Sequence, residues 1–67
     1  MIQMQVNGKD VTMPDDSTVA SLVDRMGRDR RGIAVAVNET VVPRGLWETT
    51  LVCGGDRVEI LTAAQGG

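Results

Sequence analysis

Ile2-Gln3-Met4-Gln5-Val6-Asn7-Gly8-Lys9-Asp10-Val11-Thr12-Met13 is the stretch that decides how the rest of the chain folds. Ile2, Met4 and Val6 alternate with Gln3 and Gln5, the period of a half-buried strand. Asn7-Gly8 follows, and both residues accept positive φ, so the chain can reverse within two residues. Val11 and Met13 then alternate with Asp10 and Thr12 in a second strand. Pro14 closes it, because proline has no N–H to give to a ladder.

Moving outward, Asp15-Asp16-Ser17-Thr18 is a helix-start cluster. Asp16, Ser17 or Thr18 can cap the first turn, and the acids suit the positive end of a helix dipole. Val19, Leu22, Val23 and Met26 recur at i, i+3, i+4 and i+7, which predicts one apolar stripe on a short helix. Ser21, Asp24 and Arg25 fall outside the stripe, and Gly27 stands where a C′ glycine belongs. Arg28-Asp29-Arg30-Arg31-Gly32 is a charged loop; with Arg25 it holds four of the seven basic residues. Such a run reads first as a solvated connection and second as a docking patch for an acidic partner.

Ile33-Ala34-Val35-Ala36-Val37 is continuously apolar and predicts a strand buried on both faces or nearly so. Asn38-Glu39 turns the chain into a short strand, Thr40-Val41-Val42, stopped by Pro43. Arg44 to Leu51 is irregular, with room for one helical turn, and carries Trp47. Gly54-Gly55-Asp56 is a further turn. Arg57-Val58-Glu59-Ile60-Leu61 alternates again and is the last strand. One helix covers one face of a sheet, so the expected class is α+β. The expected architecture is a four- to five-stranded mixed sheet packed on one main helix, the ubiquitin-like β-grasp arrangement. Residues 1–62 form that domain, and 63–67 are expected to be a flexible C-terminal Gly-Gly tail.

Length and composition narrow the function. A chain of 67 residues is one domain, and at this size folding buries only about 60% of the unfolded surface, leaving no room for a cavity and a lid. A net charge of −2 and a single aromatic residue argue against nucleic acid, which calls for a basic surface and stacking rings. No apolar stretch approaches the roughly 20 residues of a membrane span, and the N-terminus lacks the pattern of a signal peptide. A lone cysteine cannot form an internal disulfide, so a cytoplasmic protein is expected.

Catalytic groups are scarce. With no histidine, the usual general base near neutral pH and the Ser-His and Cys-His triads are absent. One Cys and no His make no zinc set. Adjacent Asp15 and Asp16 fit a loop end or helix cap better than a metal site. Cys53 has no neighbouring His or Lys to activate it, so a structural or incidental role is expected. Trp47 reads as a cap on the core's open edge or as an exposed anchor for a partner. No catalytic residue and no metal ligand is assigned. What stands out chemically is Ala64-Gln65-Gly66-Gly67. A Gly67 carboxylate has no Cβ beside it, and glycine adopts the angles needed to thread a narrow slot. It becomes reactive once a partner makes its oxygen a leaving group, as in a mixed anhydride with AMP made from ATP.

Val35-Ala36-Val37-Asn38-Glu39-Thr40-Val41-Val42-Pro43-Arg44 with Trp47, Gly55-Asp56-Arg57-Val58-Glu59-Ile60 and the Gly66-Gly67 end resemble the ThiS family of thiamine-biosynthesis sulfur carriers. The resemblance covers essentially the whole chain. It implies a sulfur carrier that is not itself an enzyme, with no bound cofactor and with ATP used by a partner. An E1-like adenylyltransferase (ThiF-type) would adenylate Gly67. A cysteine desulfurase or sulfurtransferase would supply sulfur to make the thiocarboxylate. A thiazole synthase (ThiG-type) would take that sulfur. Gly66, Gln65 and Ala64 would thread into the partners. Cys53-Gly54 and Gln65 depart from the family's usual residues. The alternatives are a molybdopterin-type or other Gly-Gly sulfur carrier, or a ubiquitin-like modifier of lysines. The sheet face away from the helix is the expected docking surface.

Overall fold

The computed structural model describes residues 1–27 and 29–62. Among these residues five strands and one helix follow in the order β1 (Ile2–Val6), β2 (Lys9–Met13), α1 (Val19–Arg25), β3 (Ile33–Val37), β4 (Thr40–Val42) and β5 (Arg57–Thr62). A 3₁₀ turn, Arg44–Leu46, lies between β4 and β5. The strands form one sheet in the order β2-β1-β5-β3-β4. β1 and β5 are parallel, and the other pairs are antiparallel. The fold is therefore the mixed five-stranded β-grasp that the hairpin and single helix lead one to expect.

The Asn7-Gly8 turn has φ of +52° and +85°, the doubly left-handed geometry whose twist matches the flanking strands. It sets Val6 opposite Lys9 and Ile2 opposite Met13. Asn38-Glu39, at +52° and +72°, does the same between β3 and β4. Both turns thus begin with an asparagine, whose short amide tolerates the left-handed region.

Thr18 is the helix cap: its side chain accepts from the Ser21 N–H at 3.1 Å. The Val19 N–H donates to Thr50 at 2.9 Å and the Ala20 N–H to Trp47 at 3.0 Å. The connection after β4 thereby satisfies the donors that a helix start leaves open. No acid lies in the first turn, contrary to expectation. Asp15 and Asp16 precede the cap, and Asp15 pairs instead with the N-terminal ammonium at 2.9 Å. At the other end Met26 is the C-cap and Gly27 takes φ +73°, where a Cβ would be strained.

Val19, Ala20, Leu22 and Val23 face the sheet and are buried. Met26, expected in the same stripe, lies past the last helical residue and is 38% exposed. The helix completes fewer than two turns before Gly27 ends it, and Ala20 fills the buried row. Met4, Val6, Met13, Val35, Val42, Trp47, Val52, Val58 and Ile60 complete the core. The apolar run of β3 is not buried on both faces. Val35 is buried, while Ile33, Ala34, Ala36 and Val37 are half-buried. A single helix shields one face, so Ala34 and Ala36 look outward. Trp47 is 2% exposed, which rules out the exposed anchor. Its Nε1 donates to the Val42 carbonyl at 2.8 Å, so the ring fills the core between β4 and the start of α1 without leaving its N–H unpaired.

Candidate functional site: the last strand and its outer face

β5 is the central strand. On one side all of it but Arg57 pairs with β3, from Val58 opposite Val37 to Thr62 opposite Ile33. On the other, β1 registers only with its first two residues, Gln5 with Arg57 and Val6 with Val58. Two hairpin asparagines hold it further. Asn38 donates its N–H to the Arg57 carbonyl at 2.7 Å. Its Oδ1 accepts from the Arg57 N–H at 2.9 Å and its Nδ2 donates to Asp56 Oδ1 at 3.0 Å. Asn7 reaches Ile60 from the β1 side: Oδ1 accepts from the Ile60 N–H at 2.8 Å and Nδ2 donates to the Ile60 carbonyl at 3.2 Å. The start of β5 is welded to β1 as well, since the Gln5 N–H donates to Asp56 and the Gly55 N–H to Gln3.

Alternation along β5 turns Val58 and Ile60 to the core and Arg57, Glu59 and Leu61 outward. The register places Leu61 beside Ala34, and Ala36 between Glu59 and Val41. Ala34, Ala36, Val41 and Leu61 therefore form an apolar strip on the outer face. Val41 is 66% and Leu61 57% exposed. The β1–β2 half of that face is polar, with a hollow lined by Gln3, Gln5, Asp10, Gly55 and Arg57.

Arg30 and Arg31 of the charged loop are paired with nearby acids. Arg30 donates to both oxygens of Asp24, at 3.1 and 2.8 Å, and to Glu48 at 3.2 Å. The Arg30 guanidinium, chiefly through these hydrogen bonds, holds the Asp24 carboxyl below the ordinary value of 3.8, and the two carboxylates raise the Arg30 pKa in turn. The Arg31 N–H and guanidinium lower Asp29 in the same way. Such pairing favours a solvated connection over a patch reserved for an acidic partner, with Arg28 outside the described residues. Cys53 is exposed in the turn before Gly54, and its N–H donates to Asp56 Oδ2 at 2.8 Å. No helix among the described residues is long and apolar enough to cross a membrane.

The expected site residues Ala64, Gln65, Gly66 and Gly67, and the 63–67 tail as a whole, lie outside the described residues. What the structure adds is the strand that leads to them. The two amide clamps escape a local reading, although Asn at the first position of both two-residue turns is a visible signal. The outward strip had a signal too: Leu61 and Val41 are apolar at positions out of phase with the buried set.

A model of the ThiS family matches residues 2–67. The chain belongs to the ThiS family. Sulfur carrier protein ThiS of Escherichia coli (strain K12) is 27% identical over 66 residues, 98% of this chain and 100% of that protein. A thiazole synthase of Paramagnetospirillum magneticum is 30% identical over 66 residues, which are 98% of this chain and 20% of that protein. Among solved structures, the thiamine biosynthesis protein ThiS of Geobacter metallireducens superposes with a TM-score of 0.81 at 28% identity, covering 91% of this chain and 93% of that one. This ThiS-family chain shares with it the ubiquitin-like β-grasp fold.

Proposed function

We propose that this chain is a sulfur carrier of thiamine biosynthesis, a protein co-substrate rather than an enzyme. The observation that carries the reading is a family match running through Gly66 and Gly67 on a body whose last strand is clamped from both sides. The chemistry falls to the Gly67 carboxylate. An E1-like adenylyltransferase brings ATP; a Gly67 oxygen attacks its α-phosphorus, pyrophosphate leaves, and an acyl-adenylate forms. The terminal sulfur of a persulfide, loaded by a cysteine desulfurase or sulfurtransferase, displaces AMP. A thiol then cleaves the S–S bond and leaves the Gly67 thiocarboxylate. A thiazole synthase receives that sulfur, and the carboxylate is restored.

Ala64, Gln65 and Gly66 are the residues that thread into each partner. The body docks through the outer strip of Ala34, Ala36, Val41 and Leu61, because Leu61 belongs to the strand that leads into the threading residues. Arginine, lysine and stacking rings do not line that strip, in keeping with a protein partner rather than a nucleic acid.

Intact-mass measurement of the full chain tests the reading after incubation with ATP, a cognate adenylating enzyme and a sulfur donor. The expected product is heavier by the difference between sulfur and oxygen, mapped to Gly67. An unchanged mass, despite turnover of a known carrier in the same mixture, would sink it. A lysine conjugate through Gly67 would assign the chain to protein modification. Transfer to a molybdopterin precursor but not to thiazole synthase would assign it to that pathway.

A further inference from the structure

β1 ends at Val6, yet its ladder with β5 does not stop there. The Asn7 N–H donates to the Val58 carbonyl at 2.9 Å. The Asn7 carboxamide then meets both backbone groups of Ile60, at 2.8 and 3.2 Å, across 53 residues of sequence. A primary amide carries one carbonyl acceptor and an N–H donor, the same pair a strand residue offers its neighbour. The side chain therefore stands in for the rung that β1 no longer supplies. Ile60 is 4% exposed, so this pairing takes place beside the core, where an unmet backbone group is costly. Past Ile60, Leu61 and Thr62 register only with β3. Ile60 is the last described residue of β5 held from both sides.

We propose that Asn7 is a positioning residue for the reaction at Gly67: its carboxamide makes Ile60 a fixed root for the chain that enters a partner. The inference rests on the sulfur-carrier reading. Seven residues, 61–67, extend at most roughly 25 Å from that root. The carboxylate must arrive at a bound nucleotide within a narrow tolerance, and a misplacement of about 1 Å can cost on the order of 100-fold in rate. A root held on one side only lets β5 pivot on β3, so fewer docked complexes carry the carboxylate in line with the phosphate. Docking itself depends on the outer strip, which Asn7 does not form.

Three variants of the full chain separate the roles. Asn7→Gly keeps the positive φ and removes the amide. Asn7→Asp keeps an acceptor for the Ile60 N–H but turns an oxygen toward the Ile60 carbonyl. Asn38→Gly removes the amide that holds the other side of β5, at Arg57. Pyrophosphate release by the cognate ATP-dependent adenylating enzyme is followed at a temperature where circular dichroism shows every variant folded. Exchange of the Ile60 amide is read by NMR. The expected result for Asn7→Gly is a kcat lower by about tenfold with KM within about twofold, since transition-state placement and not docking is lost. Its Ile60 amide should exchange faster, Asn7→Asp should recover part of kcat, and Asn38→Gly, which loosens β5 at Arg57 and not at Ile60, should lose less kcat than Asn7→Gly. An unchanged kcat in Asn7→Gly, or equal losses in Asn7→Gly and Asn38→Gly, would overturn the inference and leave the carrier reading standing. A wild-type chain that releases no pyrophosphate at all would remove both.

Discussion

Ile60 and Leu61 are neighbours on one strand, yet they belong to different surfaces. On the face turned to α1, Met4, Val6, Val35, Val58 and Ile60 are each no more than 4% exposed. On the opposite face Leu61 and Val41 stand 57% and 66% exposed, with Ala34 and Ala36 half-buried between them. Burial of an aliphatic side chain contributes about 1.5–3 kcal/mol, and that gain is available only on the inner face. The outer apolar residues are thus weak contributors to folding, and the stability of the sheet rests on its inner face.

The largest effect expected from breaking the inner side is at Trp47. Trp47→Ala should cost about 3–5 kcal/mol, from lost packing and from the Val42 carbonyl left without its indole donor. A domain of this size has a total stability of only roughly 3–10 kcal/mol, so urea titration should show the variant barely folded. A loss below about 1 kcal/mol would mean that the ring is not the core element described.

Adjacent substitutions on β5 sharpen the comparison. Ile60→Ala should lower stability by about 2–4 kcal/mol. Leu61→Asp should move it by no more than about 0.5 kcal/mol while weakening capture by the adenylating enzyme on the order of tenfold, as for a contact near an interface centre. Calorimetry and surface binding measured on the same preparations would decide. Equal stability losses at the two positions would erase the division between faces.

Arg30 lies away from both faces and gives the smallest effect. The folded-state pKa of Asp24 is below its ordinary 3.8, so the pairing stabilises the fold above that value. It is lost as pH falls through the lower folded-state value. Urea midpoints of Arg30→Ala and wild type should differ slightly at neutral pH, as for exposed pairs generally, and converge as the pH drops below 3.8. A difference that grows on acidification would contradict the assigned pairing.

Local patterns made much of this legible. Alternation in Ile2–Val6 and Arg57–Leu61, the Asn7-Gly8 turn, the Asp15–Thr18 helix-start cluster and Gly27 each specify an element through residues within a few positions of one another. The same locality explains the misreadings. Five apolar residues in β3 look alike whether one or both faces are covered, and Met26 keeps the helical period one residue after the helix has ended. Trp47 could be placed only once α1, β4 and the connection after β4 were in place around it. Gly66 and Gly67, singled out by composition alone, lie outside the described residues.

The sequence by itself determined the strands, the helix, the turns, the absence of histidine and the likeness to sulfur carriers, since each rests on residue type or short spacing. Tertiary structure decided the order β2-β1-β5-β3-β4, the parallel contact of first and last strands, and the partners of the two asparagine amides. Those depend on backbone and amide groups that meet across as many as 53 residues. Which distant edge a strand finds is set by how the apolar faces share one helix, and a local period carries no record of that choice.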